Sequence, residues 1–401
     1  MTTKVCVRYC PICGYTTAKV LITQRFVMPK GHPLGDIQDI ICCDRCDFVY
    51  ADVSATQEDY DFYYAHFSKY EDNQTPMGGD TSLDVERLTR TAEYITHVLP
   101  DKRVRILDVG CANGTMLGAL KQLGYVNLCG VDLSPVCVES TKRRYDIKAH
   151  VGSLSNLPRG IGEFDFVILS HVLEHVKELR QALYHVRELQ PAPGYLYVEV
   201  PDASRYADFV FSPFQDFNTE HINHFSLHSL TNLLCVCGFN VKDVGQKLVE
   251  SAPGIPYPAI FTTAVKMDDN EPPIQMLLGR DEQLERGMQA YIDTSQQMMD
   301  KIGLKLRNIL SEQSSVIVWG MGQLVMKLLA ETALAEANIK AFVDSNPVNQ
   351  GQVLRGIPIL APEQIIGMTD PIIVGSTLHH EAISKRIREQ MKLPNDVICL
   401  V

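Results

Sequence analysis

Twice in this chain a short apolar run breaks on glycines and resumes as a helix-forming stretch, and each time a later apolar run ends in aspartate. The first copy is VRILDVGCANGTMLGAL, residues 104–120, answered by LCGVDLS with Asp132. The second is SSVIVWGMGQLVMKLL, residues 314–329, answered by IKAFVDSNP with Asp344. A buried strand feeding a helix through a glycine turn cannot stand alone; it requires a parallel sheet covered by helices, so the chain is of the α/β class. Glycines let the backbone approach a ligand, the helix start offers unpaired N–H groups, and an acid ending the second strand is placed for both hydroxyls of a ribose. The first copy therefore points to an adenosine-containing ligand. The second suggests a nucleotide or a diphosphate at Gly320 and Gly322, with a purely architectural fold left open.

At 401 residues the chain exceeds one core and divides into two or three domains. The formal charge of −11 is spread along it without a basic stripe, which argues against nucleic acid. No apolar run reaches the ~18 residues of a membrane span, and the start lacks the order of a signal peptide, so a cytoplasmic protein is expected. In that compartment the 12 cysteines are thiols or metal ligands. CPIC supplies Cys10 and Cys13, and CCDRC supplies Cys43 and Cys46 with Cys42 spare. Two C-x2-C turns give the four soft tetrahedral ligands zinc prefers, leaving no open position, so this zinc is structural. Around it, KVLITQRFVM and IQDIICCDRCDFVYAD alternate as short strands.

The first glycine turn departs from G-x-G-x-x-G. An acid precedes its first glycine, as Asp108-Val109-Gly110-Cys111-Ala112-Asn113-Gly114, which resembles the first motif of class I S-adenosylmethionine (SAM) methyltransferases and displaces the alternative of a plain dinucleotide fold. VGSLSNLP, FDFVILSHVLEHV and ELQPAPGYLYVEVP follow in that family's order, over roughly residues 80 to 245. The resemblance implies a cofactor site built from Asp108, Gly110, Ala112 and Gly114, then Asp132 with Leu133, then Ser153 with Leu154, and Ser170 at the fourth strand's end. It places His171 where donor and acceptor meet, whereas His175 is expected to pack on a following helix.

FNTEHINHFSL, residues 217–227, crowds Glu220, His221, Asn223 and His224 just before a helix with Leu227, Leu230, Leu233 and Leu234 on one face. Three readings stand: a metal site of Glu220, His221 and His224, although its histidines lack helical H-E-x-x-H spacing; a capped polar loop; or a general base, His221 oriented by Glu220.

The whole layout resembles the sugar C-methyltransferases of deoxysugar and antibiotic pathways, on the four-cysteine module, the SAM domain, Glu220-His221 with Phe225-Ser226, and VDSNPVNQG with LRGIPILAPEQI near the C-terminus. Asn218, Thr219 and His224 depart from that family's run, Asn349 stands for its lysine, and its Gly-Gly-Ser stretch is missing. The resemblance implies a zinc-binding module over residues 1–65, a Rossmann-like SAM domain over 66–270, a helical linker over 271–312 and a C-terminal Rossmann-like domain over 313–401. It further implies carbon methylation of a nucleotide-linked ketosugar, with His221 as base, Glu220, His224 and His171 beside it, and no membrane or nucleic-acid partner. Oxygen methylation of a saccharide or other small metabolite, and a non-catalytic SAM-binding scaffold, remain alternatives. The chain would act as a monomer or homodimer. His379 and His380 read as solvated loop residues.

Overall fold

The computed structural model describes residues 3–67, 81–268 and 279–401. Its N-terminal strands are β1 (Thr3–Val5), β2 (Thr17–Arg25), β3 (Ile37–Cys43) and β4 (Val49–Asp52), with the two-residue strand Asn223–His224 completing a five-stranded sheet at the β4 edge. Helix α1 (Gln57–His66) begins in a capping box, Thr56 and Asp59 satisfying each other's backbone N–H, and runs through the expected boundary at residue 65. Helix α2 (Ser82–Val98) packs on the methyltransferase-like sheet through Ala92 and Ile95.

That sheet follows in chain order as β5 (Arg105–Val109), α3 (Thr115–Gln122), β6 (Asn127–Asp132), α4 (Pro135–Tyr145), β7 (Lys148–Val151), β8 (Phe166–Ser170), α5 (Leu179–Glu188) and β9 (Tyr195–Pro201). The Asn223–His224 strand is β10; α6 (Leu227–Val236) and the long hairpin β11 (Phe239–Ala252) and β12 (Ile255–Lys266) close the region. The strand order is β11-β12-β9-β8-β5-β6-β7, with β5 to β9 parallel and β12 antiparallel to β9. The chain leaves β5 toward β6 on one side and returns to β8 on the other. The crevice at the carboxyl ends of β5 and β8 is therefore the switch point, where ligands of open α/β sheets bind.

Helix α7 (Glu282–Glu312) lies within the expected helical linker; residues 271–278 of that linker, and its boundary at 270, lie outside the described residues. Beyond it come β13 (Val316–Trp319), α8 (Gln323–Glu331), β14 (Ile339–Val343), β15 (Val353–Leu354), β16 (Ile357–Leu360), β17 (Ile372–Val374), α9 (His380–Lys385) and β18 (Val397–Cys399). These strands order as β15-β16-β14-β13-β17-β18, again with a switch point, between β13 and β17. The chain forms two compact units: residues 1–20, 41–209 and 220–287, and residues 21–40, 210–219 and 288–401. Among the described residues no helix is long and apolar enough to cross a membrane.

Candidate active site

The turn after β5 owes its shape to positive φ at Gly110 (77°), Ala112 (44°) and Gly114 (80°). A Cβ on Gly114 would lie 2.6 Å from Thr141 Oγ1, and one on Gly110 would lie 2.8 Å from the Val172 side chain. Both positions thus need glycine for space as well as for conformation. Gly114 heads α3 with no side-chain cap, which leaves the helix N–H groups open to a ligand. The carboxylate of Asp132 accepts from Ala112 N (2.8 Å) and Ser134 N (2.9 Å), pinning the turn to the end of β6. Leu133 beside it is half-buried. Asp108 is buried, and burial, reinforced by the charge of Asp132, pushes its carboxyl up to about 8. Ser153 Oγ donates to Asp61 of α1 (2.9 Å), Leu154 is buried, and Ser170 is half-buried at the end of β8. The cradle fits SAM: a narrow glycine turn, an open helix start and an acid one strand away.

His171 follows β8 at φ 55°, its Nδ1 3.2 Å from Glu174 and its Nε2 3.2 Å from Glu199. Burial alone would lower its pKa, but the two carboxylates raise it above the ordinary value. Both ring nitrogens therefore serve a buried ion cluster. Glu199 also receives Lys247 (2.7 Å) and Tyr197 (2.6 Å) and lies 3.6 Å from Arg87; against its burial, His171 and Lys247 hold its carboxyl well below the usual range.

The crowded stretch before α6 is not one loop. Asn223 and His224 are buried in β10, paired with Tyr50 and Val49 of β4. Burial, then the charge of Arg8, brings the His224 pKa down to about 3, so its ring is neutral at physiological pH. Glu220, expected to orient His221, accepts from Tyr63 OH (3.0 Å). His221 meets the His175 ring edge to face, centroids 4.9 Å apart. This corrects the expected place of His175, which sits in a short 3-10 turn, Leu173–His175, after β8. His175 Nδ1 lies 2.7 Å from Tyr64 OH and 3.0 Å from the Glu220 carbonyl. A carbonyl only accepts, so Nδ1 is the donor of that contact. The metal-type convergence is likewise Glu174, His175 and His221, whose ligand atoms lie within 4.8 Å of one another, and not the expected Glu220, His221 and His224. Sequence reasoning missed His175, Tyr63 and Tyr64; the available signal was the Glu174-His175 pair directly after the fourth strand.

Cys10, Cys13, Cys43 and Cys46 bring their sulfurs within 4.8 Å of one another, with Cys10 and Cys46 3.6 Å apart and Cys13 and Cys43 3.5 Å apart. A tetrahedral ion with Zn–S of about 2.3 Å sets sulfurs about 3.8 Å apart, so the donor set fits zinc. Cys42 is buried outside the cluster, its Sγ toward the Asp47 carbonyl.

A family model described as a methyltransferase domain matches residues 84–244, and one described as C2185-like, N-terminal, matches residues 312–399. The chain is similar to the O-methyltransferase cnsE of Penicillium expansum, 28% identical over 214 residues, 49% of this chain and 72% of that one. It is also similar to an O-methyltransferase of Pyrenophora dematioidea, 26% identical over 136 residues, 32% of this chain and 50% of that one. Among solved structures, magnesium protoporphyrin IX methyltransferase from Synechocystis PCC 6803 with bound SAH is 17% identical, with TM-score 0.40, over 52% of this chain and 97% of that one. The chain is a SAM-dependent methyltransferase, with its methyltransferase-domain match over residues 84–244.

Proposed function

We propose that this enzyme methylates the carbon beside the carbonyl of a nucleotide-linked ketosugar, with His221 as general base. The observation that carries the reading is the His221–His175 contact beside the switch point of the SAM sheet. SAM, when bound, supplies an electrophilic methyl group. The chain does the rest. A ring nitrogen of His221 takes the proton from the acceptor carbon, and the His175 ring buttresses it. The Tyr64 hydroxyl, 2.7 Å from His175 Nδ1, stands beside the pair and would steady charge that develops on the acceptor oxygen. The cysteine module would hold zinc through Cys10, Cys13, Cys43 and Cys46 and contribute rigidity only.

Within the C-terminal sheet itself, the turn at Gly320 and Gly322 has room for a phosphate group. No atom lies within 4 Å of a Cβ built on Gly320 or Gly322, and Gly322 heads α8 without a side-chain cap. Across that switch point, the loop after β17 carries Thr377 Oγ1 and His379 Nε2, both buried and without a hydrogen-bond partner among the described residues.

A second reading, oxygen methylation of a small metabolite, is favoured by the similarity to the two fungal O-methyltransferases. Incubation with labelled SAM and nucleotide-linked ketosugars separates the two: label on carbon supports the first, label on oxygen the second. A His221→Ala enzyme that keeps turnover removes the base from both.

A further inference from the structure

We propose that Arg8, in the cysteine module, is a positioning residue for the His175–His221 pair. This rests on the proposed role of that pair. Arg8 is 5% exposed, and no carboxylate faces its guanidinium among the hydrogen bonds of the described residues. It is instead solvated by acceptors from two chain segments. Nη2 donates to the carbonyls of Lys177 (2.6 Å) and Val176 (3.4 Å), which follow the turn bearing Glu174 and His175. Nη1 donates to the carbonyl of Ile222 (3.1 Å) and Nη2 to Asn223 Oδ1 (2.8 Å), directly after His221. Asn223 completes the clamp: its Nδ2 donates back to the carbonyls of Leu173 (2.8 Å) and Val176 (2.7 Å). Each histidine is thus one residue from a carbonyl that the same planar fork holds.

The other end of Arg8 is equally fixed. Its N–H donates to Asp52 Oδ1 (2.7 Å), Tyr50 OH donates to its carbonyl (3.1 Å), and the guanidinium lies 5.5 Å from the Tyr50 ring centroid. Asp52 and Tyr50 belong to β4, the strand that pairs with β10. A buried charge costs several kcal/mol unless donors are met, and here the two Nη groups meet several carbonyls at once where an ammonium could not, while the buried Nε has no partner among the described residues. The arrangement therefore tolerates only one relative placement of the two histidine segments. The cysteine module acts on the chemistry through this side chain, touching neither cofactor nor acceptor.

The test is Arg8→Ala in the full-length protein, read three ways. SAM affinity by calorimetry should be unchanged. The imidazole resonances of His175 and His221 should shift or broaden, and turnover should fall about 100-fold with little change in KM, the cost of a small misplacement of a reacting group. Methylguanidinium added to the variant should restore the resonances and part of the turnover. A folded Arg8→Ala protein with both resonances in place overturns the proposal. If Arg8→Ala does not fold, Arg8→Lys, which keeps charge and stem but loses the fork, is read against the same resonances. Those signals need no acceptor, so a wild-type protein inert toward every ketosugar would sink the proposed function while still deciding the role of Arg8.

Discussion

The two glycine turns of this chain are built on one plan and differ in what the glycines are for. In both, the first glycine N–H donates to the last apolar carbonyl of the neighbouring strand: Gly110 to Val131 (2.8 Å) and Gly320 to Val343 (2.7 Å). In both, the acid after that carbonyl holds the turn and the start of the next segment. Asp132 accepts from Ala112 N and Ser134 N; Asp344 accepts from Met321 N (2.8 Å) and Asn346 N (2.7 Å). The SAM turn is crowded, with Thr141 and Val172 against its glycines, and a buried acid, Asp108, stands behind it. At the equivalent place behind the C-terminal turn is the apolar Val318. The shared bonds make the scaffold, and in the proposed reading the crowding and the acid turn it into a cofactor site.

The largest expected difference is in pH dependence. Asp108 keeps its proton in the folded protein to about pH 8, whereas an unfolded aspartate ionises near ~4. Its folded pKa is raised, so its contribution to stability is complete below about pH 4 and is lost as pH climbs toward 8, at up to ~1.4 kcal/mol per unit. Asp108→Asn, neutral throughout, should flatten that slope by several kcal/mol in urea titrations followed by circular dichroism. Val318 gives the C-terminal sheet no such slope. Trp319, the one tryptophan of the chain, lies in β13 and reports that sheet alone. A Trp319 fluorescence midpoint that tracked Asp108→Asn would break the contrast between the two sheets.

Gly114→Ala should come next. It forces a side chain into φ 80° and against Thr141, together ~2–4 kcal/mol, and should weaken SAM binding by about 100-fold in a calorimetric titration. Gly322→Ala, at φ −76° in open space, should leave SAM affinity unchanged. Asp132→Asn replaces an acceptor facing a backbone N–H with an NH2 group and should cost roughly tenfold in SAM affinity, while Asp344→Asn should cost ~1–2 kcal/mol of stability with SAM binding intact. Equal effects of the two acid substitutions on SAM would mean that the plan itself, and not the crowding, makes the site.

Both turns were legible because every part of them is local: apolar runs, glycines and an acid within one βαβ length. The four cysteines were legible for the same reason, two short spacings that chance rarely gives. What could not be read were contacts that close over long chain separations. Nothing around His224 signals that β10 will pair with Val49 and Tyr50, and so the crowded stretch looked like one loop when half of it is a buried strand edge. The link from Arg8 to Ile222 spans 214 residues and leaves no periodicity. His175 was misplaced because a 3-10 turn aims its side chain differently from the helix expected there, and only the partners, Tyr64 and the Glu220 carbonyl, reveal the direction.

The smallest predicted effect probes the helix starts. Gly322 caps α8 in extended geometry, φ −76° and ψ 173°, with no side-chain hydrogen bond and empty space around it. That is the conformation in which serine caps, accepting from an N–H in the first turn, so Gly322→Ser should stabilise the C-terminal sheet by a few tenths of a kcal/mol. The Trp319 transition should rise by about 1 °C. The same change at Gly114 cannot help, because its left-handed backbone aims a side chain at Thr141 and away from the helix N–H groups. If Gly322→Ser lowered the Trp319 midpoint, Gly322 would be as constrained as the glycines of the closed turn, and as Gly320 at φ 98° already is.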